Sequence, residues 1–370
     1  MTEPKCPYFG ECGGCSAQHI PYELQLENKK KALIQAIKYN DVQVFSGPEY
    51  EYRNRMDFIF HPGGVGLRKK GRWDQIIDID TCAISNGRIN QLLSEVQKFF
   101  RGVDYFDIHK KSGAFRYAVI RTTTHDAAIT FTLNDESSKL QAAIEQIKAF
   151  AKQSTATHVL IAYVPPQTDE STSQEYFAVK GSEMLCETLL GKTFYYSAQG
   201  FFQNNTLMAE KMLEYTQGLL KKYETKGAHL LDLYGGVGTF GIVNAELFKE
   251  VTIVESVPSC IEAANKNIQE NHVSNAKALV LDAVQIKRLD LPTPLFTITD
   301  PPRTGMHPRT IEELNKFAPE VMIYISCNIQ QLAKELPKFK RYTVKSAAMF
   351  DLFPQTPHVE AIVELTKNKD

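Results

Sequence analysis

The sequence predicts an α/β protein whose second half is a doubly wound sheet. Three observations predict it. From residue 229 onward, short apolar runs alternate with helical patterns. A glycine-rich turn, Gly235 to Gly241, follows the first run and opens a helix. The run Val321 to Ile325 is apolar throughout and ends in Ser326-Cys327-Asn328, the pattern of a strand buried on both faces. Ligands of open parallel sheets sit at the carboxyl ends of the strands. Here the strands end in turn in Asp232 with the glycine loop, Glu255, Asp282, Asp300 and Cys327. That convergence carries more weight than any one motif.

Composition narrows the class. The chain has 370 residues, enough for two cores. Hydrophobic content of 43% and charged content of 23% are ordinary for a globular protein. No window approaches a membrane span, and Met1 to Cys6 lacks a signal-peptide pattern, so a cytoplasmic protein is expected. Seven cysteines in that compartment point to metal or catalysis and not to disulfides. A net charge of -1 restricts any nucleic-acid surface to a local patch.

The chain opens with Cys6, Cys12 and Cys15, the last two separated by Gly13-Gly14, and Cys82 follows an apolar run. Four thiolates fit zinc or an iron–sulfur cluster. Residues 22 to 38 carry leucine and isoleucine at helical spacing. Tyr52 to Phe60 alternates like a strand, His61 to Gly64 is a turn, and Val65 to Trp73 follows. Arg53, Arg55, Arg68, Lys69, Lys70 and Arg72 cluster there with Tyr52, Phe58 and Trp73. Cations among aromatics can hold phosphates and stack bases. Lys110, Lys111, Arg116 and Arg121 form a second basic stretch. Residues up to about 190 read as mixed α and β, mostly antiparallel.

Beyond residue 190, Phe201-Phe202-Gln203-Asn204-Asn205 precedes a helix capped by one of the asparagines. The predicted strands are 229–234, 250–255, 278–282, 295–300 and 321–325, with helices over 258–271 and 311–317. Gly236-x-Gly238-x-x-Gly241 matches a dinucleotide fingerprint, which keeps an NAD-dependent redox enzyme open. Dehydrogenation, however, uses neither a thiol at the fifth strand nor the rigid Asp300-Pro301-Pro302-Arg303 turn after the fourth.

At these residues the chain resembles the S-adenosylmethionine-dependent RNA uracil-C5 methyltransferases. The marks are Cys6, Cys12, Cys15 and Cys82; Phe202 to Asn205; Asp232 to Gly238; Asp300 to Arg303; Ser326 to Asn328; and Pro357 to Glu360. The resemblance covers nearly the whole chain. It implies a Rossmann-like class I methyltransferase domain with a mostly parallel seven-stranded sheet, over residues 191–370. Before it stands an α+β central domain, 1–190, with a [4Fe-4S] cluster on the four cysteines and an RNA-contacting surface. The small oligonucleotide-binding barrel that opens many members is expected to be absent. The layout looks most like enzymes forming 5-methyluridine in 23S ribosomal RNA, with the T-loop uridine-54 of transfer RNA as the alternative. A monomer is expected.

The resemblance also implies roles. Cys327 adds to C6 of uracil so that C5 becomes nucleophilic, with its pKa expected below the roughly 8.5 of a free thiol. Glu360 takes the C5 proton, and His358 stands two residues before it. Gln203, Tyr234, Gly235, Glu255, Asp282 and Asp300 line the methyl-donor pocket. Arg303 holds substrate or anchors its loop. Arg53, Arg55, the Arg68 to Arg72 patch, Phe201 and Phe202 grip an RNA whose target uridine is flipped out.

Overall fold

A computed structural model describes residues 2–368. The N-terminal cysteine segment leads into α1 (Tyr22–Ile37) and a short strand, β1 (Val42–Phe45). A first sheet follows: β2 (Arg55–His61), β3 (Gly64–Lys69), β4 (Arg72–Asp78), then α2 (Gly87–Phe99), β5 (Phe115–Thr122), β6 (Ala127–Asn134), α3 (Leu140–Gln153), β7 (His158–Val164) and β8 (Tyr176–Lys180). A two-stranded hairpin, β9 (Met184–Leu189) and β10 (Lys192–Ser197), connects it to the rest. The second half runs α4 (Thr206–Leu220), β11 (His229–Leu233), α5 (Thr239–Asn244), β12 (Glu250–Glu255), α6 (Pro258–Glu270), β13 (Ala276–Val280), β14 (Leu295–Thr299), α7 (Pro308–Phe317), β15 (Val321–Ser326), α8 (Ile329–Glu335), β16 (Tyr342–Phe350) and β17 (Glu360–Lys367).

The first sheet has seven strands in the order β4-β3-β2-β5-β6-β7-β8. Only β6 and β7 are parallel, joined by the α3 crossover. Its core packs Leu92, Leu93 and Val96 of α2 and Ile147 and Phe150 of α3 against Phe58, Phe60 and Phe131. The second sheet has the order β1-β16-β17-β15-β14-β11-β12-β13. All its pairings are parallel except those of β17, which runs against both β15 and β16. Every residue of β15 is buried, as a sheet covered on both faces requires, and successive residues face opposite cores. Val321, Ile323 and Ile325 join one core cluster, with α4 and α5, while Met322 and Tyr324 join the other, with α1, α7 and α8.

This sheet has eight strands, one more than the resemblance implied. The extra strand is β1, which pairs in parallel with β16, Val42 opposite Ala347. Residues 22–45 lie on the N-terminal side of the expected 190/191 division, yet they build the C-terminal sheet. Among the described residues, no helix is long and apolar enough to cross a membrane.

A buried ion pair anchors α1. Lys29 Nζ lies 2.6 Å from Asp351 Oδ1, with both side chains almost wholly buried. Tyr22 donates to the same carboxylate at 2.8 Å, and Lys29 also donates to the Phe353 carbonyl. Burial pushes the Lys29 pKa down while Asp351 pulls it up. Removing one partner of such a pair leaves an uncompensated charge, at a cost of about 3–5 kcal/mol. Asp351→Ala is therefore expected to destabilise the protein by about that amount in urea denaturation. A loss under about 1 kcal/mol would contradict an anchoring role for the pair.

Candidate active site

The register of β15 and β17 builds the site. Ile325 pairs with Ile362 and Ser326 with Ala361. The next position sets Cys327, just past the end of β15, across from Glu360, the first residue of β17. Directly opposed residues in an antiparallel pair are close neighbours. On the other side of β15, Thr299 of β14 pairs with Tyr324, so Asp300 stands at the same end of the sheet. Glu360 is buried and Cys327 partly buried. Asn328 caps α8 by accepting from the Gln330 and Gln331 amides, and its own amide donates to the Arg303 carbonyl at 2.9 Å. The Pro-Pro-Arg turn is thereby fixed to the cysteine's loop.

The electrostatics of this cluster overturn one expectation. The Cys327 thiol is pushed up to about 11, by burial first and then by the charges of Glu360 and Asp300; Arg303, facing the sulfur, opposes them. A depressed thiol pKa was expected so that a useful fraction would be thiolate; the two carboxylates facing the sulfur, which nothing in the sequence shows, reverse the direction. Glu360 is raised well above the usual carboxyl range by burial and by Asp300. Asp300 is pushed up to about 7 by burial and by Asp232. His358 is lowered by burial and by the cations Arg303, Lys29 and Arg53.

Cys327 opens onto a cavity of about 510 Å³. One wall is Thr356 to Val359; the other is Ser16, Ala17 and a face of α1 comprising Gln25, Asn28, Lys29 and Ala32. Sequence reasoning missed this wall. The signal was present: polar Gln25, Asn28 and Lys29, with the small Ala32 next on the same face, follow helical spacing on a helix otherwise judged by its leucines. The two walls are tied together, because Ser16 and Ala17 both donate to the Gln355 carbonyl. Gln25 and Gln355 also exchange hydrogen bonds, at 2.9 and 3.1 Å.

A second cavity is lined by Phe201, Phe202, Gln203, Tyr234, Gly235, Gly236 and Asp300, among others. Four of the six expected donor-binding residues thus meet here. Glu255 and Asp282 do not line it but stand beside it at the next strand ends. Glu255 accepts from the amides of Gly236, Ser256 and Val257. Asp282 lies two residues beyond β13 and caps a short 3-10 turn through the Val284 amide. Tyr234 adopts a left-handed φ of 61°, the kind of backbone strain found at functional sites. Asp232 holds the glycine loop by accepting from the Gly241 amide at 2.7 Å. Gly241 packs so closely that a Cβ there would lie 2.8 Å from Ile253.

The first domain positions the Gln203 segment. Asn54 donates from its side chain to the Gln203 carbonyl and from its backbone to the Asn204 carbonyl. Buried Arg121 donates to the Gly200 carbonyl at 2.7 Å. Arg121 and the equally buried Arg116 therefore serve the interior and not the surface expected of a basic stretch. Phe58 and Tyr52 are likewise core residues, and Phe202 is buried in a stack on Tyr196 at 4.1 Å. Of the aromatics expected on the RNA side, Trp73 and Phe201 are exposed, 62% and 69%.

Cys6, Cys12, Cys15 and Cys82 all line one cavity of about 620 Å³, together with Arg53, Arg55 and Arg68. Among the described residues no three His, Cys, Asp or Glu side chains are grouped to hold a single metal ion. The cysteine loop is strapped to β3: Gly13 donates to the Arg68 carbonyl and Lys70 to that of Glu11. The Gly14 amide donates to Cys12 Sγ at 3.3 Å. The buried Gln18 side chain accepts from the Cys6 amide, while among the described residues its Nε2 has no oxygen or nitrogen partner.

Comparison with known proteins adds the family. The model of the tRNA (uracil-5-)-methyltransferase family matches residues 21–368. An uncharacterised RNA methyltransferase of Caldanaerobacter subterraneus is 31% identical over 99% of this chain and 85% of its own length. The tRNA (uracil(54)-C(5))-methyltransferase of Pyrococcus horikoshii is 31% identical over 98% of this chain and 85% of its own. The crystal structure of the Pyrococcus abyssi tRNA (uracil-54, C5)-methyltransferase with S-adenosyl-L-homocysteine superposes with a TM-score of 0.81. It is 27% identical and covers 96% of this chain and 86% of its own. The glycine loop is thus not the mark of an NAD enzyme. The chain belongs to the tRNA (uracil-5-)-methyltransferase family, the S-adenosylmethionine-dependent RNA methyltransferases that act at C5 of uracil.

Proposed function

We propose that the protein methylates C5 of a uridine in transfer RNA through a temporary bond between Cys327 and C6 of the base. The observation that carries the chemistry is the register setting Cys327 opposite Glu360, with Asp300 at the end of the adjacent strand. The relatives named for a substrate act on uracil 54 of transfer RNA. They favour that position over the 23S ribosomal RNA that the chain's layout suggests.

S-adenosylmethionine, when bound, supplies the methyl group and a sulfonium charge. Gln203, Tyr234, Gly235, Glu255, Asp282 and Asp300 are the residues proposed to hold it. A ring of carboxylates at the strand ends suits a cation. The target base is flipped out of its stack to reach the Cys327 cavity. Cys327 and Glu360 both hold their protons tightly in the free protein, so both protons pass to solvent as the cationic donor and the substrate bind, with Arg303 favouring the thiolate. Thiolate addition at C6 places an electron pair at C5, which takes the methyl group as the sulfonium S–CH3 bond breaks and neutral S-adenosylhomocysteine leaves. The C5 proton then passes to the ionised Glu360, and the C6–sulfur bond breaks, restoring the double bond and the thiolate. A carboxylate whose proton affinity is raised by burial is a stronger base than an exposed one.

Cys6, Cys12, Cys15 and Cys82 are proposed to hold a [4Fe-4S] cluster. The fit rests on their shared cavity, on the Gly14 amide aimed at sulfur and on the buried Gln18 side chain turned to Cys15. The cluster's part is to fix the cysteine loop, and through Ser16 and Ala17 the wall of the Cys327 cavity.

Glu360→Gln is expected to accumulate a protein–RNA adduct that survives denaturing electrophoresis, and Cys327→Ala to form none. Equal adduct in both would remove Cys327 from its role, and no adduct in Glu360→Gln would remove Glu360 as base. Purified without oxygen, the protein should be brown and carry iron and sulfide at about four each per chain; zinc without iron would refute the cluster. Asp300 is neutral in the folded chain below about 7 and ionised in the unfolded chain above about 4. The folded state binds the extra proton in that window, so this group's contribution to stability falls as pH rises through it. The melting temperature of Asp300→Asn relative to the parent should therefore climb from about pH 5 to about pH 8. A constant difference would contradict the buried, protonated carboxyl.

A further inference from the structure

A cavity of about 260 Å³ lies on the first domain, away from Cys327. Its lining includes Trp73, Tyr105, Phe106 and His109, with Arg68 and Asp74 at the rim. Trp73 is the single tryptophan of the chain. It sits on β4, the edge strand of its sheet, with its ring 5.9 Å from the His109 ring. Large exposed aromatics next to a cavity are stacking surfaces, because every base offers a π-face.

The cavity shares a wall with the cysteine cavity. Arg68, Tyr117 and Asp169 line both it and the cysteine cavity. The cysteine cavity also includes Arg53, Arg55 and Asn204, and Asn204 follows Gln203 of the cavity beside Asp300. The size of the Trp73 cavity is just below the usual range of small-molecule pockets, which suits one heterocycle.

Charge decides which part of a nucleic acid enters. Asp74, Asp107 and Asp169 line the cavity against the guanidiniums of Arg68 and Arg116. Arg68 is already committed to Asp169 at 2.6 Å, and Arg116 to the carbonyls of Pro165 and Thr168. A phosphate would meet carboxylates with few free donors. Asp74 faces Arg72 and His109, and Asp107 accepts from the His109 and Lys110 amides and pairs with Lys110 Nζ, so a neutral base with an exocyclic amine would meet carboxylate oxygens that still have lone pairs to accept with.

We infer that this cavity is a base-binding subsite: an unpaired adenine, cytosine or guanine of the substrate RNA, remote from the target uridine, stacks on Trp73. The inference rests on the proposed RNA substrate and adds a second point of recognition to it. Trp73 itself reports the event. Emission of the full-length protein should be quenched saturably by an unmodified transfer RNA transcript, and more tightly by oligo(A) or oligo(C) than by oligo(U). Trp73→Ala should raise KM for transfer RNA about tenfold, the scale of one lost stacked base, with kcat and S-adenosylhomocysteine affinity unchanged. Trp73→Phe should recover most of it. Unchanged emission at saturating RNA, or a KM within twofold in Trp73→Ala, would overturn the subsite while leaving methylation intact. Should the protein methylate no RNA, the proposed function falls, and the oligonucleotide titration still decides the subsite: quenching by oligo(A) upholds it, flat emission removes it.

Discussion

The antiparallel pairing of β17 with β15 is the constraint on which the rest of this molecule depends. A parallel sheet gathers the carboxyl ends of its strands along one edge, and β17 brings its amino end to that same edge. Glu360 therefore arrives beside Cys327 although thirty-odd residues separate them in the chain. The side-chain period of a strand is two, so a one-residue slip would turn Glu360 to the opposite face. The buried runs Ile323 to Ile325 and Ala361 to Val363 fix that register.

The same gathering sets the site's electrostatics. Asp232, Asp300 and Glu360 are drawn into one buried region, and each raises the proton affinity of a neighbour. Crowding carboxylates out of water costs stability in the free protein. It leaves a region in want of positive charge, which suits a cationic methyl donor. It also pushes the Cys327 thiol up, towards its neutral form. The N-terminal segment completes the arrangement. Its cysteine loop is strapped to β3, its residues 16 and 17 hold Gln355, and α1 closes the cavity over Cys327.

Much of this was legible in the sequence, for physical reasons. Strands buried on both faces leave continuous apolar runs, so β12 and β15 were readable to within a residue. Asn205 and the glycine loop follow local rules of capping and backbone freedom. Other features depend on contacts that no local pattern encodes. The four-residue β1 carries no sign of its partner, three hundred residues away. Phe58 and Tyr52 sit among cations in the sequence, but strand alternation and a hydrogen bond to Pro354 place them in the core. Arg116 and Arg121 look like surface charge and instead hold loop carbonyls. The Cys327 pKa was misjudged because it depends on two carboxylates brought close only by sheet pairing.

The central claim is that Cys327 bonds to the target uridine during methyl transfer. Transfer RNA carrying 5-fluorouridine tests it most directly, since fluorine at C5 cannot leave as a proton and the cycle stops with the bond in place. Mass spectrometry of the digested complex should find one modified peptide, carrying a methylated fluorouridine on Cys327. Methylated RNA with no protein adduct, or an adduct on any other residue, would contradict the account.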